Sequence, residues 1–198
     1  MRRGVRAFGV GVLLLLAGCA TDDQKRNAIN DVNAEFRIDY ERVLAERGTR
    51  IFYRVGTDEA FQALRSALLR VGMRVGDQSP TMGYLHVFGP APSPLTAAEW
   101  RTAAEQDQPR LREIVNKHIG LLSYFVTFEP EGLEVIINAT TLEVKNGVEV
   151  SLTARMREIA PPKSGMPRRE YLPPTAVRMG LDKIWAEFER ELRSPRGL

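Results

Sequence analysis

Apolar positions recur along this chain in two rhythms, and the changes of rhythm divide it into elements. Ile29, Val32, Phe36, Tyr40 and Val43 return every three or four residues up to Gly48, the spacing of one helical face. The alternation in FRIDYE, 36–41, would suit a strand, but the longer run favours a helix standing as a stalk behind a polar tether at 20–25. Residues 50–55, RIFYRV, then alternate as a strand does. Thr57 stands where it can cap a helix with Asp58 and Glu59 in its first turn and Phe61, Leu64, Leu68 and Val71 along its apolar stripe. Gly72 ends it, and the short strands MRVGD and YLHVFG follow around the turn-rich QSPTMG.

Three prolines, Pro90, Pro92 and Pro94, hold the next stretch extended. After them Thr96-Ala97-Ala98-Glu99 forms a capping box, with Leu95 and Trp100 at the two positions of a hydrophobic staple. A helix therefore starts at this point. Pro109 is expected to break or kink it, and Leu111, Ile114, Val115 and His118 continue the helical spacing to Gly120. Three strand-like runs come next: LLSYFVTF, LEVIINATTLEV and VEVSLTARMREI. At the second turn of this block a three-residue loop is predicted, with Gly147 in a left-handed bulge, Val144 facing Val148 and Leu142 facing Val150, because that register keeps apolar residues on one face. Thr175 is expected to cap a closing helix with Val177, Leu181, Ile184, Phe188 and Leu192 on one side and Trp185 beside them.

The beginning of the chain has another character. Arg2, Arg3 and Arg6 precede an apolar run that is too short for the roughly 20 residues a bilayer core requires, and small residues follow it, the layout of a secretory signal peptide. Leu16-Ala17-Gly18-Cys19 resembles the lipobox of bacterial prolipoproteins at all four positions. That resemblance implies cleavage after Gly18, a diacylglyceryl group on the Cys19 thiol and an acylated new amino terminus. One acyl chain binds membranes marginally, each buried methylene contributing about 0.8 kcal/mol, so several chains make a lasting attachment to a lipid bilayer. Ala20 occupies the place where an aspartate would resemble an inner-membrane retention signal, so an outer-membrane lipoprotein facing the periplasm is expected.

Removing residues 1–18 changes the charge balance. Taking the three arginines before Cys19 from 28 Lys and Arg leaves 25 against 25 Asp and Glu, so the mature chain is neutral and nucleic acid is not an expected partner. Cys19 is the single cysteine, which leaves the folded part to be stabilised by its core without disulfides. The sequence carries no recognisable catalytic or metal-binding signature. His86 and His118 lack the partners of a metal motif, no G-x-S-x-G elbow or glycine-rich phosphate loop occurs, and the carboxylates near strand ends (Asp77, Glu129, Glu131) show no pairing in sequence. No catalytic residue, metal or cofactor is therefore expected.

Residues 160–174, APPKSGMPRREYLPP, form a loop too long and too proline-rich for a plain connection, and Lys163, Met166, Arg168, Arg169 and Tyr171 are its candidate partner-binding residues. The organisation expected is a signal peptide at 1–18, a lipidated cysteine, tether and helix at 19–48, and one α+β domain at 49–198. Within it lies an antiparallel sheet of about five or six strands, helices packed on one face, in the order β-α-β-β-(α)-β-β-β-α behind an N-terminal helix. This order, with the strand–helix–strand YRVGTDEAFQALRSALLRVGMRV at 53–75, resembles helix-grip-type envelope lipoproteins such as the C subunit of the outer-membrane barrel-assembly machinery. The role expected is that of a non-catalytic envelope adaptor, in which lipid anchor, tether and stalk position a domain that binds another protein through a strand edge or the basic proline-rich loop. The alternative is a carrier whose pocket for a lipid or small hydrophobic ligand uses Tyr124, Phe125, Val126, Phe128, Ile136 and Ile137.

Overall fold

The computed structural model describes residues 20–170 and 173–194. Its elements are α1 (Asp22–Arg47), β1 (Thr49–Tyr53), α2 (Thr57–Arg70), β2 (Arg74–Ser79), β3 (Tyr84–Pro90), α3 (Ala97–Ile119), a 3-10 helix (Gly120–Phe125), β4 (Leu133–Val144), β5 (Gly147–Glu158) and α4 (Pro174–Arg193). The five strands form one antiparallel sheet in the order β1-β5-β4-β3-β2. The chain is thus an α+β fold with an N-terminal helix, as its periodicity predicts.

One sheet face is apolar because strand residues alternate sides. Leu85 and Val87 of β3, Val135, Ile137 and Ala139 of β4, and Val148, Val150 and Leu152 of β5 are all buried on it. The stripes of α2 (Phe61, Leu64, Leu68) and α4 (Leu181, Ile184, Phe188) cover that face. Phe188 is fully buried, edge-on to Phe52 at 4.8 Å and to Trp185 at 6.0 Å, the arrangement in which a positive ring edge meets a negative ring face. A second buried cluster lies outside the sheet, where Ala28, Val32 and Phe36 of α1 meet Leu111, Ile114 and Val115 of α3 together with Phe128.

Several local expectations are corrected. Residues 20–25 are mostly helix rather than tether, because Thr21 and Gln24 make a capping box of their own: the Gln24 N–H donates to Thr21 Oγ1, and Gln24 Oε1 accepts from the Thr21 N–H at 2.8 Å. That helix lies along the body instead of standing away as a stalk, since Val43 belongs to the main core and Phe36 to the second. Thr57 is the first residue of α2, and Gly56 occupies the cap position without a side-chain bond. Pro109 does not end α3. Both it and Glu105, whose carbonyl loses a donor, are exposed, so water can satisfy the freed group.

The strand expected at 121–128 is instead the 3-10 helix and a loop. Gly120, at φ +55°, turns the chain back over the last turn of α3, where the Ser123 hydroxyl faces the Asn116 side-chain oxygen at 3.5 Å. At the β4–β5 turn the loop has two residues, not three, and Val144 pairs with Gly147, Leu142 with Glu149 and Thr141 with Val150. Leu142 and Val144 therefore sit on the outer face, and the buried series of β4 is the odd-numbered one from Leu133 to Thr141. Asn146 takes the left-handed conformation, at φ +66°, that Gly147 was expected to take. Gly147 is required for another reason: a Cβ there would fall 2.2 Å from the Phe52 carbonyl oxygen of β1.

The start of α4 departs from expectation in an informative way. Pro173 is at the cap position, and the acceptor for the buried helix end comes from another helix: Asp107 of α3 receives the Thr175 N–H at 2.9 Å and its hydroxyl at 2.7 Å. Burial pushes the Asp107 carboxyl above its usual range, and the two Thr175 bonds oppose this.

Two predictions follow from this packing. Phe188→Ala removes a fully enclosed ring and should cost about 3–5 kcal/mol in chemical denaturation, against less than about 1 for a substitution at an exposed position of the same helix such as Ala186→Ser. For Asp107, a carboxyl whose pKa is raised on folding binds its proton more tightly in the native state, so its contribution to stability declines as pH rises through the native pKa. The stability of the wild type relative to Asp107→Asn should accordingly fall as pH rises above the ordinary aspartate range of about 4. A difference that grows with pH would contradict the buried position of this group.

Candidate functional site

The basic loop leaves β5 after Glu158 and runs along α1, held by a series of specific bonds. Arg26 donates through Nε to the Gly165 carbonyl at 2.8 Å. Asn33 grips the backbone from both sides: its Nδ2 donates to the Arg168 carbonyl at 3.0 Å, and its Oδ1 accepts the Glu170 N–H at 3.1 Å. A side-chain amide can do this because it carries a donor and an acceptor in one plane. Arg169 folds back on Glu158, Nε to Oε1 at 2.9 Å.

Placement divides the five loop candidates. Met166 packs into an apolar groove of about 240 Å³ between α1 and α3, beside Ile29, Val32, Leu111, Val115 and Val126, so its side chain serves the loop's own attachment. Arg169 is likewise occupied within the chain. Lys163 and Arg168 are exposed and can meet another molecule. Tyr171, Cys19 and the lipobox residues Leu16, Ala17 and Gly18 lie outside the described residues.

Next to the loop opens a cleft of about 560 Å³ between α1 and β5. Arg37, Arg155 and Arg157 line it, with Glu41 and Glu170 opposing them and Ile136 contributing apolar surface. Arg157 is partly neutralised by Glu134, its Nε donating to Oε2 at 2.9 Å. The Tyr40 hydroxyl donates to the Ala154 carbonyl, and burial pushes its pKa up, so it stays protonated and acts as a donor. A wall of guanidinium groups around an amphipathic hollow suits acidic side chains of a partner, since each presents a planar fork of N–H donors to a carboxylate.

The other candidate groups are spread apart. His86 Nδ1 lies 2.7 Å from Asn138 Oδ1 on the outer sheet face, where Gly76 leaves room for its ring, while His118 Nε2 lies 2.7 Å from Asp31 Oδ2 between α3 and α1. Asp77 accepts the N–H of Gln78 and Glu129 the hydroxyl of Thr127. Among the described residues no three His, Cys, Asp or Glu side chains gather as a metal site. The six residues proposed for a ligand pocket do not share a cavity: Tyr124 and Phe125 are exposed, Val126 lines the groove, Phe128 meets Phe36, Ile136 lines the cleft and Ile137 is in the main core. No helix among the described residues is long and apolar enough to cross a membrane.

Asn33 and Arg26 were not singled out in the sequence, and nothing local marks them, since their partners are more than 130 residues away. No protein family matches the chain, and comparison with curated proteins and with solved structures finds no match.

Asn33→Ala removes both grips on the loop. It should lower stability by about 1–2 kcal/mol and increase protease cleavage within 160–170 while cleavage elsewhere stays unchanged. Unaltered cleavage there would show that the loop is held by other contacts.

Proposed function

We propose that this protein is a non-catalytic adaptor of the bacterial cell envelope, anchored to the outer membrane through acylated Cys19 and facing the periplasm. The observation that carries this reading is the arginine-walled cleft beside the clipped basic loop. Arg37, Arg155 and Arg157 outnumber Glu41 and Glu170 in the cleft, and the adjoining loop exposes Lys163 and Arg168, on a chain that the sequence leaves neutral after Cys19. Concentrating charge in this way steers an acidic partner without making the protein adhere to polyanions in general. The resemblance of residues 16–19 to a lipobox supports the same reading.

The partner under this proposal is an envelope protein that presents Asp and Glu to the cleft. A second reading, a carrier of a small hydrophobic ligand, draws on the apolar groove between α1 and α3.

Crosslinking in intact cells, followed by purification of the membrane fraction, tests the adaptor. A specific envelope protein should be captured. The double variant Arg37→Glu, Arg155→Glu should reduce its yield about tenfold while leaving the fold intact, and Cys19→Ser should move the protein out of the membrane fraction. Capture unaffected by the charge reversal would refute the cleft as the contact. Lipid extracted in stoichiometric amount from the Cys19→Ser protein would favour the carrier.

A further inference from the structure

The described residues leave ten large apolar side chains well exposed, and three of them fall within five consecutive positions: Leu121 at 80%, Tyr124 at 62% and Phe125 at 67%. They belong to the 3-10 helix, where residues three apart lie one above the other, so Leu121 and Tyr124 share a side. The outward display is built in. Ser123 between them is buried, the Val126 N–H bonds the Ser123 carbonyl at 3.2 Å, and Gln108 Nε2 donates to the Val126 carbonyl at 2.5 Å. The Arg112 guanidinium lies 5.6 Å from the centre of the Tyr124 ring and holds it from beneath. Leu121, Tyr124 and Phe125 are thus displayed outward on a pinned backbone.

Their location suggests what covers them. Ala20 and Gln24, at the start of α1, line a hollow together with His118, Ile119, Leu121 and Leu122. Cys19 is the next residue, and one peptide step is about 3.8 Å, so acyl chains on its thiol would leave the protein beside this turn. We infer that the 3-10 helix Gly120–Phe125 is a second membrane contact, which inserts Leu121, Tyr124 and Phe125 into the interfacial layer next to the lipidated cysteine. This inference rests on the anchoring proposed above.

The chemistry fits such an interface. A phenol with an apolar ring and a polar tip is favoured at headgroup depth, with leucine and phenylalanine below it. Close to the contact, Lys25 and Arg26 are paired with Asp22 and Asp23 on α1, Asp31 faces His118, and the Arg112 guanidinium is turned to the Tyr124 ring. Apolar burial of three large side chains is then the driving term of the contact, and zwitterionic lipid suffices for it. Two points of attachment at one end fix how the domain sits on the bilayer, which a lipid chain alone leaves free to swivel.

The test uses the full lipidated chain in phosphatidylcholine vesicles. With Cys19 acylated, Leu121→Cys or Phe125→Cys supplies one free thiol for an environment-sensitive fluorophore. Met82→Cys, in the β2–β3 turn, is the control. It is equally exposed, and the bond from the Thr141 N–H to the Gly83 carbonyl sets that turn near the end of the sheet that α1 reaches at Gly48. Labels at 121 and 125 should show blue-shifted emission and quenching by spin-labelled lipid, both insensitive to added salt, with neither effect at 82. If mass spectrometry finds Cys19 acylated but labels at 121 and 125 behave like that at 82, the second contact is refuted and the anchor stands. An unmodified Cys19 overturns the anchor and this inference together.

Discussion

The packing of α1 against the rest of the chain is the constraint on which the arrangement of this molecule depends. The sheet with α2, α4 and the first turns of α3, where Trp100 and Ala103 enter the main core, would be a two-layer body, but the later turns of α3 at Leu111, Ile114 and Val115 would lose Ala28, Val32 and Phe36 without α1. Phe36 is the link: it is almost fully buried, edge-on to Phe128 at 5.4 Å, among Leu111, Ile114 and Val115. At its other end α1 is fastened to the main body. Arg47 makes a two-pronged bond to Asp182 at 2.7 and 2.9 Å, and the Trp185 indole N–H donates to the Arg47 carbonyl at 2.8 Å. Gly48 then passes so close to Leu44 and Leu152 that a Cβ would collide with their backbone oxygens. A helix of 26 residues, about 39 Å long, is thus secured at both ends.

The consequence for function is geometric. Under the proposed anchoring at Cys19, the helix that begins at Asp22 would join the attachment to the cleft, whose walls include Asn33, Arg37 and Tyr40 of the same helix. The proposed attachment and the proposed recognition surface would then share one element. The basic loop is clipped to this helix as well, through Arg26 and Asn33. A partner that engages Lys163 or Arg168 therefore meets a surface already ordered and does not bear the entropy of fixing a free loop.

What the sequence made legible was whatever is written locally. The stripe of Phe61, Leu64 and Leu68, the capping box at Thr96 and Glu99 and the alternation in β3 to β5 all appear in the fold because each is a short-range pattern that tertiary packing reinforces. Errors arose where distant residues decide. LLSYFVTF has the composition of a strand, but Gly120 turns it back over α3 and Ser123 takes the inward position. The β4–β5 register was misjudged because Leu142 and Val144 were assigned inward, whereas β4 carries Thr141 on its buried side. At the candidate site the basic character of the loop was evident, but its clips and the arginines of α1 and β5 converge only in three dimensions.

The central claim is that α1 forms one rigid unit with the domain and holds the anchoring end in fixed relation to the cleft. Hydrogen exchange of the backbone amides in the vesicle-bound protein tests it most directly. Amides of α1 around Phe36 and Val43 should exchange as slowly as those of α2 and open in the same global step. Exchange of α1 at the rate of an unstructured peptide, with the sheet still protected, would contradict the account.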